Sequence, residues 1–383
     1  MKIVAVLRAF PKDASLGKIL KTLSEDFKVN CYIWDRQRDY VPIVENDNIT
    51  YTRCEVRAGF YNMTTFLKML LFEKWLFYKL LFARFDFIHA IDLGTGLVGL
   101  CIAKLRRKKF IYQCMDPYYV ILPPHWPKFI GYVARRLENF VISNADIFLI
   151  TDLLRMPQHE GATPKIVIEI ANSPMLNQEA DEKYRSDKND FVIGYIGALI
   201  EGRSMSVLID SAGELDSEGV RLVVGGYGPM EEDVKERSIK YPNVKFIGEV
   251  HNLEVMKIEA TFDLFIYVCD PENEGHKWVS PNKLFESMAL KKPIIVADGT
   301  LVAKRVNSIG NGLTVQYGSK DELKAAILRL KNNPQLIREM GEKGKKEFEN
   351  NWKPEIMEHR LRECYARLDR QHTLRNESDS ESR

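Results

Sequence analysis

In the run Ser280-Pro281-Asn282-Lys283-Leu284-Phe285-Glu286 a proline opens a helix pattern, a lysine sits in its first turn, and a glutamate follows one turn later. Proline at a helix start leaves the first-turn amides free to meet an anion, and Lys283 adds a cation there. Glu286 falls on the same side as Lys283 or Asn282, where a carboxylate can accept hydrogen bonds from both hydroxyls of a ribose. A generic amphipathic helix needs no such order of residues.

Two glycine-rich turns lie upstream. Gly225-Gly226-Tyr227-Gly228-Pro229 follows the strand pattern Arg221–Val224 and leads into an acidic-headed helix pattern. Such a strand-to-helix turn lets a ligand approach the backbone, and the helix N-terminus favours an anion. A tight turn alone also calls for glycine, and Glu231–Asp233 suit a helix dipole without any ligand. The second turn, Gly194–Ser204, contains Gly197 and sets Arg203 at the start of the next helix. An arginine there can grip a diphosphate through two parallel hydrogen bonds, or can be an ordinary surface residue.

These groups need a scaffold, and the hydrophobic pattern describes one. Short apolar runs at Lys2–Leu7, Val29–Trp34, Phe87–Ile91, Phe110–Cys114 and Ile147–Thr151 alternate with helix patterns. A second series runs through Phe191–Ile196, Arg221–Val224, Val244–Ile247, Leu264–Val268, Pro293–Ala297 and Gly312–Val315. Continuously apolar strands between helices imply parallel sheets covered on both faces. The expected fold class is α/β, with two doubly wound Rossmann-like domains. The expected boundaries are 1–174 for the first domain, 175–190 for a polar linker and 191–350 for the second domain. A C-terminal helix over 351–370 is expected to pack back on the N-terminal domain, with a disordered tail over 371–383.

The 383 residues carry 55 Lys+Arg against 53 Asp+Glu, a balance that gives no general argument for nucleic-acid binding. Divided after Ile170, however, the first part holds 24 basic and 17 acidic residues, a net of +7, and the remainder a net of −5. Phe60–Phe85 holds nine aromatics in 26 residues, with Lys68, Lys74, Lys79 and Arg84 against Glu73. No stretch within it reaches the ~18–20 apolar residues of a membrane span. It reads either as an interfacial helix or as a helix packed on its own sheet. The six cysteines are scattered, without zinc or redox spacing. The opening MKIVAVLRAF reads as a first strand rather than a signal peptide, so a cytoplasmic protein is expected.

Taken together, these motifs resemble the retaining, nucleotide-sugar-dependent glycosyltransferases of the GT-B fold, family 4 (glycosyl transferases group 1). The resemblance rests on the Gly194–Arg203 turn, the Gly225–Pro229 turn, Asn243–Val250 and, most specifically, Pro281–Glu286 with its following Lys-Lys-Pro strand. Trp34-Asp35-Arg36, His89-Ala-Ile-Asp92 and Ile168–Pro174 extend it into the N-terminal half. It implies two domains facing across a cleft, donor on the C-terminal side and acceptor on the N-terminal side. By resemblance, Glu286 binds the ribose, Arg203 and Lys283 the diphosphate, and the backbone near Gly248–Val250 the base. Gly197, Gly225, Gly226, Gly228, Val250, Pro281 and Asn282 complete the implied donor site.

Three departures stand out. The family often carries two glutamates spaced E-x7-E, but the position eight residues before Glu286 is Trp278. His276 and Lys277 then become candidates for holding the donor sugar. The N-terminal Gly-Gly loop of many members is replaced by Arg8–Gly17. Where many members place a histidine beside the sugar, this chain has Met115, which leaves Asp116 or Asp92 as the candidate catalytic group or as a structural cap.

The expected reaction is transfer of a sugar from a UDP- or GDP-type donor to an acceptor hydroxyl with retention, in polysaccharide, glycolipid or lipid-linked glycan assembly. Arg203, Lys283 and helix N-termini would stabilise the leaving diphosphate. No metal and no cofactor beyond the co-substrate is expected, and no nucleic acid as partner. The basic first domain suits an acceptor at the inner membrane face. The rival reading is a non-catalytic nucleotide-binding or partner subunit. A nicotinamide-dependent dehydrogenase would need Gly-x-Gly-x-x-Gly after the first strand, and Arg8–Gly17 offers one glycine.

Overall fold

A computed structural model describes residues 1–10, 14–42, 44–59, 63–122, 126–174, 180–181 and 190–381. The chain forms two compact units, Met1–Asn172 with Glu355–Arg383, and Ser173–Pro354. The segment expected as the linker lies almost wholly outside the described residues, as do residues 60–62 of the aromatic segment.

In the N-terminal unit the strands are β1 (Ile3–Arg8), β2 (Lys28–Trp34), β3 (Ile49–Cys54), β4 (Phe87–Ile91), β5 (Lys109–Cys114), β6 (Ile147–Ile150) and β7 (Val167–Glu169). They form one parallel sheet in the order β3-β2-β1-β4-β5-β6-β7. The helices are α1 (Ala14–Asp26), α2 (Met63–Phe82), α3 (Leu93–Leu105), α4 (Tyr118–Ile121) and α5 (Lys128–Asn144). Alternate residues of β1 feed opposite faces. Ala5 and Leu7 join a core with α2, α3 and α5, whereas Val4 and Val6 join a core containing Leu16, Leu20 and Leu23 of α1.

The C-terminal unit holds β8 (Phe191–Ile196), β9 (Val220–Gly225), β10 (Val244–Phe246), β11 (Leu264–Tyr267), β12 (Ile294–Ala297) and β13 (Gly312–Val315). Its parallel order is β10-β9-β8-β11-β12-β13. Helices α6 (Met205–Gly213), α7 (Glu231–Ser238), α8 (Asn252–Glu259) and α9 (Glu274–Lys277) connect the strands. They are followed by α10 (Asn282–Ala289), α11 (Leu301–Ile309), α12 (Lys320–Lys331) and α13 (Pro334–Asn351).

The last helix, α14 (Pro354–Glu381), adds Leu361, Cys364, Tyr365 and Leu368 to the α1 side of the N-terminal core, a helical stripe. It starts later and runs further than expected. The stretch read as a disordered tail from Gln371 continues the helix, because no glycine or proline interrupts it. Two strands have no counterpart in the sequence reading. β3 is an edge strand, and β7 forms the opposite edge with three half-buried residues. Neither needs the continuous apolar run that marks a central strand.

Candidate active site

In the C-terminal unit the strand order reverses between β8 and β11, and ligands of open α/β sheets bind beyond the strand C-termini at such a point. The loops there are stitched together through their backbones. Gly197 N–H donates to Gly225 O at 3.0 Å, Leu199 N–H to Tyr227 O at 2.9 Å, and Gly226 N–H to Gly248 O at 2.7 Å. The glycines permit this approach. A Cβ on Gly226, at φ 138°, would stand 1.8 Å from Gly197 O, and one on Gly228, at φ 150°, 2.4 Å from Leu199 O. Val250 closes on the same turn, its Cγ2 lying 3.0 Å from where a Gly225 Cβ would be. Gly197, Gly225, Gly226, Gly228 and Val250 therefore converge on one surface of stacked turns.

Pro281 is the N-cap of α10 and makes no side-chain cap, while Leu284 N–H returns to Pro281 O. One turn in, Lys283 Nζ donates to Glu286 Oε2 at 2.6 Å and to Glu259 Oε1 at 2.5 Å. All three groups are buried, Glu259 completely. Burial, reinforced by the neighbouring Glu286, pushes the Glu259 carboxyl well above the usual range, against the pull of Lys283. Burial also works against the Lys283 charge, but the two glutamates outweigh it and hold the ammonium protonated. Two of the three ammonium donors of Lys283 are thus engaged in fixing Glu286 and Glu259, which leaves one for a ligand. Glu259 was not legible as a site residue, although a buried lysine demands a counter-charge.

Arg203 lies with its guanidinium 4.9 Å from the Tyr267 ring centre, and its Nε is buried without a hydrogen-bond partner. The neighbouring Tyr195 hydroxyl donates to Ala198 O at 2.8 Å. His276 is buried against Gly202, whose added Cβ would lie 2.6 Å from the imidazole Cε1. Burial, and then the Arg203 charge, lower its pKa, and Nδ1 has no partner. Arg203 and His276 thus share one environment. Lys277 does not join them. It lines a 710 Å³ cavity with Asp270, Glu272, Asp298 and Tyr317. The turn of α9 brings Glu274 back to Trp278, whose indole N–H donates to Glu274 Oε2 at 3.1 Å. A carboxylate therefore sits beside Trp278 although its sequence spacing from Glu286 is longer.

In the N-terminal unit the order reverses between β1 and β4. Here Arg8, at the end of β1, is ion-paired with Asp92 just after β4. Asp92 Oδ1 also accepts from Met115 N–H at 2.8 Å. Its backbone has φ 62° and ψ 164°, a region costly for a residue with a Cβ. Burial raises its pKa, opposed by Arg8. Both carboxylate oxygens are engaged, so Asp92 anchors the loop after β5. Asp116 differs. It is bound on one side by Arg155 Nη2 at 3.0 Å and its side chain is 59% exposed. Arg155 also donates to Met115 O at 2.7 Å, so Arg8–Asp92 and Arg155–Asp116 bracket Met115. Of the two aspartates, Asp116 is the one open to a ligand.

His89 is structural. Its Nε2 lies 2.9 Å from Gln113 Oε1 and its Nδ1 2.9 Å from the Tyr365 hydroxyl. Burial lowers its pKa to about 4 despite the Gln113 bond. In the Trp34-Asp35-Arg36 motif, the Arg36 guanidinium stacks on Phe10 at 3.8 Å and on Trp34 at 4.1 Å.

Residues 177–347 match the family model described as glycosyl transferases group 1. The chain is 29% identical over 333 residues to the capsular polysaccharide biosynthesis glycosyltransferase CapM of Staphylococcus aureus, covering 80% of this chain and 82% of that protein. Among solved structures, sucrose-phosphate synthase from Thermosynechococcus elongatus superposes with a TM-score of 0.76 at 14% identity, over 97% of this chain and 100% of that one. HepE from Anabaena in complex with UDP gives 0.70 at 16% identity, over 96% and 100%. At these identities the two structures establish the shared fold.

Proposed function

We propose that this GT-B glycosyltransferase of group 1 moves a sugar from a nucleotide diphosphate donor to an acceptor hydroxyl with retention of configuration. The observation that carries the reading is Glu286 held by buried Lys283 on α10, in the unit whose switch point also gathers Arg203 and the stacked glycine turns. A fixed carboxylate can receive both ribose hydroxyls without reorganising. The α10 amides and Arg203 receive the diphosphate, and the backbone at Gly248–Val250 the base. The C1–O bond to phosphate breaks as the bond to the acceptor oxygen forms on the same face. The acceptor proton passes to the departing phosphate, so no strong enzymic base is required at Met115. Charge on the leaving group is met by Arg203 and helix amides, and the reaction as proposed uses no metal. His276 holds the donor sugar.

The CapM relative acts in capsular polysaccharide biosynthesis, and the acceptor proposed here is likewise a glycan, free or lipid-linked, bound by the basic N-terminal unit with Asp116 at its edge. UDP-sugars are the first donors to test, because HepE was solved with UDP, with GDP-sugars second. Nucleotide release from a panel of nucleotide sugars should single out one donor and vanish in Glu286→Ala. Trp278 at the E-x7-E position favours a second reading, a subunit that binds nucleotide without turnover. Saturable binding with no release from any donor would establish it.

A further inference from the structure

The helical layer of the N-terminal unit is apolar on its outer side as well as toward the sheet. On α2, Met69, Phe72, Leu76 and Leu80 are buried, whereas Leu67, Leu71, Tyr78 and Phe82 are exposed. At about 100° per residue these four and Lys74 occupy one narrow arc opposite the buried set. α5 repeats the pattern. Ala134, Val141 and Ile142 are buried, and Phe129, Tyr132, Val133 and Phe140 are exposed around Arg136. Both helices pack on α3, so the two apolar arcs flank one helix on one face of the sheet.

The charges on this layer are one-sided. α2, α3 and α5 carry seven Lys and Arg but only Glu73 and Glu138. Glu138 is buried beneath the layer, and burial pushes the Glu73 carboxyl up to about 7. Among the described residues, Lys74, Lys79, Lys104 and Lys128 have no carboxylate partner. No described helix is long and apolar enough to cross a membrane.

We propose that the α2–α3–α5 face docks on the surface of an anionic lipid bilayer. Its aromatic and aliphatic side chains enter the headgroup boundary, and its lysines and arginines meet lipid phosphates. Charge complementarity selects this occupant. A second copy meeting the same face about a two-fold axis would set cations against cations. Binding needs no donor turnover, so failure here and failure of the transfer reaction are separately visible.

The test is flotation of the full chain with phosphatidylcholine vesicles, with and without phosphatidylglycerol, at low and high salt. Binding should require phosphatidylglycerol and weaken with salt. Reversing two central charges, Lys74→Glu with Arg136→Glu, should weaken it at least ~10-fold. Phe82→Ser with Phe140→Ser should weaken it at both salt concentrations. Unchanged thermal melts would show that the variants remain folded, as expected for exposed sites. Absence of flotation at low salt, equal binding to neutral vesicles, or indifference to the charge reversals would overturn the proposal. Lipid-free self-association abolished by the same reversals would assign the face to a second copy instead.

Discussion

The ammonium of Lys283 lies 2.6 Å from Oε2 of Glu286, one turn along the same buried helix, with Glu259 closing the other side at 2.5 Å. The three groups do not contribute equally. Burial, reinforced by Glu286, pushes the Glu259 carboxyl well above the usual range, so Glu286 is the stronger charge partner of Lys283. Lys283→Met should therefore leave Glu286 buried and unpaired, at a cost of about 3–5 kcal/mol. Glu259→Gln keeps an acceptor of similar shape and should cost under about 1 kcal/mol. Urea denaturation of the two variants checks the contrast, and nucleotide affinity should follow the same order.

The stacked turns make an equally sharp distinction among glycines. Gly226→Ala would drive a methyl group into Gly197 O, as well as requiring φ 138°. Gly219 has φ 69° but open space around its missing Cβ. Gly219→Ala should cost about 1–2 kcal/mol, the left-handed backbone penalty alone. Gly226→Ala should cost clearly more and abolish nucleotide binding, because the loop carrying Gly197 must move. Thermal melts with and without nucleotide would show both effects.

Glu138 should give the N-terminal unit a pH dependence. Its Oε1 accepts from the Tyr112 hydroxyl at 2.8 Å and its Oε2 from Tyr118 N–H at 3.1 Å. Burial nevertheless raises its pKa to about 7, those hydrogen bonds opposing. The folded protein then holds this proton more tightly than the unfolded chain. The associated stability is full below about 4.5 and is lost as pH rises through about 7. Glu138→Gln should flatten the fall in stability between mildly acidic and mildly alkaline pH by up to about 3 kcal/mol. Denaturation at both ends of that window measures it, and an unchanged slope would refute the assignment.

The C-terminal helix offers a local test. With Gln113 Nε2 donating to Met115 Sδ at 3.4 Å, Gln113 Oε1 faces His89 Nε2 and accepts a hydrogen bond from its N–H. Nδ1 must then accept from the Tyr365 hydroxyl, joining α14 to β4. Tyr365→Phe leaves a buried Nδ1 unsatisfied and should cost about 1–3 kcal/mol. Nitrogen NMR should report the Nε2–H tautomer of His89 in the parent chain.

What was legible in the sequence follows from the same physics. Phe87–Ile91, Phe191–Ile196 and Gly312–Val315 read as strands with their observed bounds, because they are bounded runs compatible with a parallel sheet. The edge strand β3 lacked such a run, and β7 is only three residues long. Pro281–Glu286 announced the start of α10, since the order of its residues is local. The partner of Lys283 was hidden because Glu259 is 24 residues away and meets it only through packing. The Glu274–Trp278 contact depends on the single turn of α9, which the sequence pattern does not disclose. The exposed arc of α5 was equally silent, as periodicity locates a buried face without saying what covers the other.

If Arg203 grips the diphosphate as proposed, its variants should separate that contact from the rest of nucleotide binding. Its guanidinium lies over the Tyr267 ring, 4.9 Å from the centroid, and beside Tyr195, so aromatic neighbours position it before any ligand arrives. An ammonium at that position keeps the charge but loses both the guanidinium's contact with the ring and the forked donors. Arg203→Lys should therefore weaken nucleoside diphosphate binding by about tenfold, equivalent to about 1.4 kcal/mol, while nucleoside binding changes little. Arg203→Met should weaken the diphosphate further and still spare the nucleoside, whose ribose is proposed to meet Glu286. Titrating each variant with nucleoside and nucleoside diphosphate separates the contributions. An equal loss for both ligands would mean that Arg203 shapes the pocket rather than gripping phosphate.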